Sequence, residues 1–231
     1  LLDAWEAAAA VAPAARPLHL LHAVEPEQSI EELGAEALGR RDSRLNALRR
    51  SLVGSAVEAT TECPACGEQV ETTFDLRDLW PDDDPPVVAA ELEVAVDGVT
   101  VVCRPVSTAD LLAAAEAPDP EADLLARCVL RVEGDGLPAA LPAGARDAVE
   151  AAVAEADPRA DVELSLACPG CGVEWASPFD MASFLWEEVD HAARRLLAEV
   201  DVLARAYGWR EPDILVLSPW RRRRYLELAQ A

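Results

Sequence analysis

The sequence predicts an α+β protein, mainly helical, held together by a four-cysteine zinc ribbon made of two distant knuckles. Apolar residues recur at helical spacing through both ends of the chain. The unit Cys-Pro-x-Cys-Gly occurs twice, at Cys63 and at Cys168, each time behind a short strand-like segment. Between the units, two valine-rich runs at 87–96 and 99–106 flank Asp97-Gly98, which predicts a small β-hairpin with a type I′ turn in the inserted segment.

These features divide the chain into an N-terminal helical segment, 1–54, a first zinc knuckle, 55–80, and an inserted hairpin with helices, 81–160. A second zinc knuckle, 161–180, and a C-terminal helical, partner-binding segment, 181–231, complete it. In the first segment, alanine-rich residues 3–11 form a helix that stops before Pro13, and 18–23 form a second. Ser29 caps a third, with Glu32 in capping-box position. Residues 41–52 form a longer amphipathic helix with Leu45, Leu48 and Leu52 on one stripe, arginines opposite, and Gly54 at its end.

The run at 81–86 mixes prolines and aspartates and is expected as an acidic loop. Ser107 or Thr108 caps a helix over 109–117, and Asp119-Pro120 opens another toward Val132, broken by Gly134, Gly136, Pro138 and Pro142. A helix over 146–156 stops at Asp157-Pro158, and a strand from Asp161 enters the second knuckle. The longest periodic element is Met181–Tyr207, with Leu185, Val189, Ala192, Leu196, Leu203 and Tyr207 on one stripe and Gly208 at its end. Two short helices follow, at 212–217 and after Ser218-Pro219.

With 51% hydrophobic residues in 231, the chain can bury a core, and no apolar run approaches a membrane span; no signal segment is visible. Net charge is -23, from 43 acidic against 20 basic residues, and every basic one is arginine. Such a body repels phosphate backbones and anionic lipid, so neither nucleic acid nor a membrane is an expected partner. Six cysteines in a chain of this size do not make a disulfide scaffold; Cys103 and Cys128 sit in apolar patterns and read as core.

The two knuckles belong to an internal repeat. Residues 57–67 and 162–172 align, Phe74-Asp75 and Phe179-Asp180 follow at equal distance, and Trp80 answers Trp186 with a one-residue offset. Two residues between cysteines let a tight turn aim both thiolates at one ion, and the following glycine tolerates positive φ. Cys63, Cys66, Cys168 and Cys171 therefore give one structural Zn²⁺ a closed shell with no position open for water. Two local disulfides or a redox switch are the alternative reading of such pairs.

Other signals carry less. His19 and His22 lack ligand partners at metal spacing, and His191 beside Glu187, Glu188 and Asp190 reads as a solvated helix face. No catalytic triad, P-loop or dinucleotide fingerprint is present, so the expectation is a protein that is not an enzyme. Arg221 to Arg224, flanked by Trp220 and Tyr225, concentrate positive charge and read as a docking patch; pairing with the chain's own carboxylates is the rival explanation.

The C-terminal pattern of Ala204, Tyr207, Trp209, Glu211, Ile214, Leu215, Leu217, Arg221, Arg222, Tyr225 and Leu226 resembles the end of T-even-phage-like baseplate hub assembly chaperones, relatives of which accompany contractile injection systems. Phe179-Asp180 and Phe184-Leu185-Trp186 extend the likeness back to the first knuckle, while the N-terminal helices match less clearly. The resemblance implies a non-catalytic cytoplasmic protein that helps assemble the baseplate hub or stays in the particle as a minor part, binding hub or spike proteins. The zinc ribbon is not part of that resemblance. Tyr207, Trp209, Trp220, Arg221, Arg222 and Tyr225 are the expected partner-binding residues. A zinc-ribbon regulator acting on nucleic acid and a redox-controlled holdase are the alternatives.

Overall fold

The computed structural model of the chain describes residues 1–81, 88–96, 98–133 and 143–229. The first helices are α1 (Leu2–Ala9), α2 (Arg16–Val24) and α3 (Ile30–Ala35), with a 3₁₀ turn at Pro13–Ala15. Ser29 and Glu32 close the expected capping box on α3. Helix α4 (Leu38–Val53) ends at Gly54, whose φ of 93° suits a residue without a Cβ.

The orientation of α4 departs from the expected one. Leu45 is buried, but Leu52 is 64% exposed, and Arg41, Arg44 and Arg49 point inward. Each guanidinium meets partners supplied by other elements. Arg41 donates to Asp42 at 2.7 Å and to Thr108 at 3.1 Å, and Arg44 reaches Glu36, Glu25 and Gln28. Arg49 binds Glu188 at 2.9 and 3.0 Å and the carbonyls of Gly54 and Ala56 at 2.6 and 2.8 Å. Buried charge is tolerated when it is paired and hydrogen-bonded in this way.

The knuckle hairpins are β1 (Ala56–Glu62) with β2 (Gln69–Asp75), and β6 (Glu163–Ala167) with β7 (Glu174–Pro178), each antiparallel and each a separate two-stranded sheet. After β2 comes a single turn, α5 (Leu76–Leu79). Between the hairpins lie β3 (Leu92–Val96), β4 (Val99–Cys103), α6 (Thr108–Ala114), α7 (Pro120–Cys128), β5 (Val129–Glu133) and α8 (Ala143–Ala156). The expected hairpin is present as β3–β4, with Gly98 at φ 82°; Asp97 lies outside the described residues. The expected acidic loop beyond Pro81 and the breakers Gly134, Gly136, Pro138 and Pro142 lie outside them too.

The helix expected to reach Val132 stops at Cys128. Val129, Arg131 and Val132 instead pair with β4, because β-branched residues beside a free strand edge gain more from the ladder than from another helical turn. The resulting sheet β3-β4-β5 packs on α8 around Val99, Val101, Cys103, Ala145 and Val149. Cys103 and Cys128 are both buried, as expected of core thiols.

The main core gathers Leu18, Leu21, Leu33, Leu45, Val57, Leu76, Trp80, Met181 and Leu185 from both sides of the inserted elements. Helix α9 (Met181–Tyr207) has the expected bounds, with Asp180 accepting hydrogen bonds from the Ala182 and Ser183 amides as its N-cap and Gly208 in the left-handed conformation. Its first half faces that core through Met181, Leu185 and Val189. Its far half carries Val200 and Leu203 into a separate small core with Ile214 of α10 (Glu211–Leu215) and Tyr225 and Leu226 of α11 (Pro219–Ala229).

Candidate metal centre

Each knuckle is built by the same local bonds. The Cys63 amide donates to the Glu68 carbonyl at 2.8 Å and the Gly67 amide to the Cys63 carbonyl at 2.9 Å. In the second copy, Cys168 donates to Val173 and Gly172 to Cys168, both at 2.9 Å. Gly67 and Gly172 take φ of 73° and 75°, the turn that returns the chain to its hairpin. The aromatic ends of the repeats meet as well: Phe74 packs edge-on against Phe179 at 5.3 Å between centroids.

The two turns face each other, so thiols more than a hundred residues apart in sequence come together. Cys63 Sγ lies 3.7 Å from Cys171 Sγ and Cys66 Sγ 3.6 Å from Cys168 Sγ, and all four sulfurs fall within 4.8 Å of one another. A tetrahedral site with metal–sulfur bonds of about 2.3 Å needs sulfurs about 3.8 Å apart, whereas a disulfide needs about 2.05 Å. All four are free thiols, and the four-sulfur donor set fits one metal ion.

Electrostatics point the same way. Burial raises the Cys63 thiol, but the Ala65 and Cys66 amides and the neighbouring thiols outweigh it and hold it at about 7. The Glu68 amide favours the Cys66 thiolate, yet crowding by Cys171 and Cys168 pushes that group up to about 12. The Val173 amide likewise assists Cys171, which neighbouring thiols still raise. Four sulfurs this close cannot all ionise unless a cation sits among them. Cys63 and Cys168 are buried beside Val70 and Trp175; Cys66 and Cys171 are exposed.

The residues expected to bind partners separate into two groups. Tyr207 stacks on Trp209 at 4.7 Å, Trp209 meets Tyr225 edge-on at 4.9 Å, and Tyr207 Oη donates to the Tyr225 carbonyl at 3.2 Å. Arg222 donates to Glu199 at 2.7 Å and to the Leu217 carbonyl at 3.2 Å. These four hold α10 and α11 on α9. Trp220, 67% exposed, and exposed Arg221 face outward, and the Arg224 guanidinium lies 5.5 Å from the Trp220 ring. Leu228, also exposed, was not singled out from the sequence; its spacing of eight residues from Trp220 within α11 is the signal that places it near the same outward face.

Among the histidines, His22 Nδ1 lies 2.8 Å from the Gln28 carbonyl, and none joins the cysteine cluster. Among the described residues no helix is long and apolar enough to cross a membrane.

A family model described as T4 bacteriophage base plate protein matches residues 40–186, a span that takes in most of α4, both knuckles, everything between them and the start of α9. No curated protein and no solved structure matches the chain. The C-terminal run that resembles the hub chaperones lies beyond the matched span. Since the match covers well over half of the chain and contains the whole four-cysteine cluster, the protein belongs to the T4 bacteriophage base plate protein family.

Proposed function

We propose that the protein is a non-enzymatic, zinc-stabilised assembly factor or minor component of the baseplate hub of a contractile injection system, acting in the cytoplasm by protein–protein binding. The observation that carries this reading is the closed four-thiol cluster inside the span shared with base plate proteins. One structural Zn²⁺ on Cys63, Cys66, Cys168 and Cys171 would clamp the two hairpins and leave no position for a reacting water. The role left for the chain is to present surfaces. Its C-terminal helices present Trp220 and Arg221, residue types that dominate binding energy at protein interfaces, on a base built by Tyr207, Trp209, Arg222 and Tyr225.

A nucleic-acid role is disfavoured by Glu62, Glu68, Glu71 and Glu174, all exposed around the knuckles. The test is co-purification with hub and spike proteins encoded beside this chain, together with metal analysis. One zinc per chain and a complex weakened by Arg221→Glu support the reading. Metal-free protein, or the absence of any complex with those proteins, overturns it.

A further inference from the structure

Where the inserted elements meet the start of α4 there is a surface pocket of about 290 Å³. Its lining is mainly apolar, with Leu38 from α4, Leu124 from α7 and Val153 from α8, and it includes the buried carboxylate of Asp157. Glu121, Glu150 and Asp161, all exposed, also line it, and no basic residue does among the described residues. None of these three carboxylates forms an ion pair among the described residues. An apolar slot ringed by unpaired carboxylates suits one large apolar side chain flanked by cations.

The chain carries such a group itself. Trp220 is 67% exposed, and its neighbours Arg221 and Arg223 are exposed and have no ion pair among the described residues. In a chain of net charge -23, residues 221–224 are the densest run of positive charge. Among the described residues helix α11 packs chiefly on α9, whereas the pocket is lined from α4, α7 and α8, so the two features belong to separate elements.

We propose that the pocket receives Trp220 of a second copy of this chain, with Arg221 and Arg223 of that copy against Glu121, Glu150 and Asp161. Repulsion between two acidic bodies is screened beyond about 8 Å at physiological ionic strength, whereas the paired charges would lie in contact. Because a pocket on one copy meets a helix on the next, the contact is heterologous, and copies add until a ring closes. The inference goes beyond the baseplate reading and does not depend on it.

Sedimentation velocity of the full chain across the micromolar range tests it. Wild type should associate with concentration, and Trp220→Ala and the double variant Glu121→Arg/Glu150→Arg should each weaken association at least about tenfold. All the substituted side chains are exposed, so metal content and circular dichroism should stay as in wild type. Mixing the two variants should restore a complex of two copies, since one keeps its pocket and the other its tryptophan. A wild type that stays monomeric, variants that associate normally, or a mixture that stays monomeric would each overturn the proposal. Retention of hub or spike binding by the pocket variant separates this outcome from failure of the baseplate reading.

Discussion

Gly39, at the start of α4, and Asp157, just past α8, are separated by 118 residues and touch so closely that a Cβ on Gly39 would overlap Asp157 Oδ1. The Gly39 amide donates to Asp157 Oδ2 at 2.9 Å, which ties the inserted elements to the body. Asp157 is 3% exposed and has little room to retreat. Gly39→Ala should therefore cost about 2–4 kcal/mol by steric clash and loss of this bond. Gly170→Ala, whose Cβ would meet the Glu68 carboxylate at 3.4 Å and Cys168 Sγ at 3.7 Å without overlap, should change the melting temperature little. Thermal unfolding of the two variants checks the contrast.

Arginine pairs in this protein should differ widely in worth. Arg49→Ala leaves Glu188 and two carbonyls without the guanidinium that joins α4, β1 and α9, and should cost about 3–5 kcal/mol. Arg131→Ala removes surface pairs with Glu91 and Glu133, and should cost at most about 1 kcal/mol. Chemical denaturation midpoints should rank them in that order.

Two buried aspartates should titrate on opposite sides of their ordinary value of 3.8. Burial raises Asp42 to about 6, and the Arg41 contact offsets only part of that rise. The unfolded chain then releases this proton before the native one does, so Asp42 works against folding as pH rises from about 4 to about 6. Asp110 is also penalised by burial, but Arg104 and Ser107 bring it down to about 2. Its contribution is present above 3.8 and is lost as pH falls through about 2. Carboxyl carbon shifts followed by NMR should show the two midpoints, and Asp110→Asn should lose about 2 kcal/mol at neutral pH.

Cysteine replacements should separate ligand from core. Cys171→Ser breaks a four-donor site whose binding energy is also folding energy, so metal content and the melting point should both collapse. Cys103→Ser, in the apolar core beside Val101, should cost about 1–3 kcal/mol and keep the metal. Equal effects on bound metal would refute the ligand assignment.

Local signals were legible in the sequence and long-range pairings were not. The capping box at Ser29, the bounds of α9, the hairpin around Gly98 and the convergence of Cys63, Cys66, Cys168 and Cys171 all follow from residue type and spacing. Strand β5 was missed because its partner, β4, lies about thirty residues earlier, and only pairing with it decides strand over helix. The inward arginines of α4 were missed for a related reason: periodicity places charge outside unless Glu36, Thr108 and Glu188 arrive from other elements to meet it. The division of the C-terminal residues into props and outward groups likewise depends on Glu199 reaching Arg222.

Helix α9 spans 27 residues, a stiff rod about 40 Å long, with its root in the main core and its tip in the small C-terminal one. A rod mounted this way acts as a lever arm. A tilt of about two degrees at the root therefore swings the tip, with α10 and α11 packed on it, by more than an ångström.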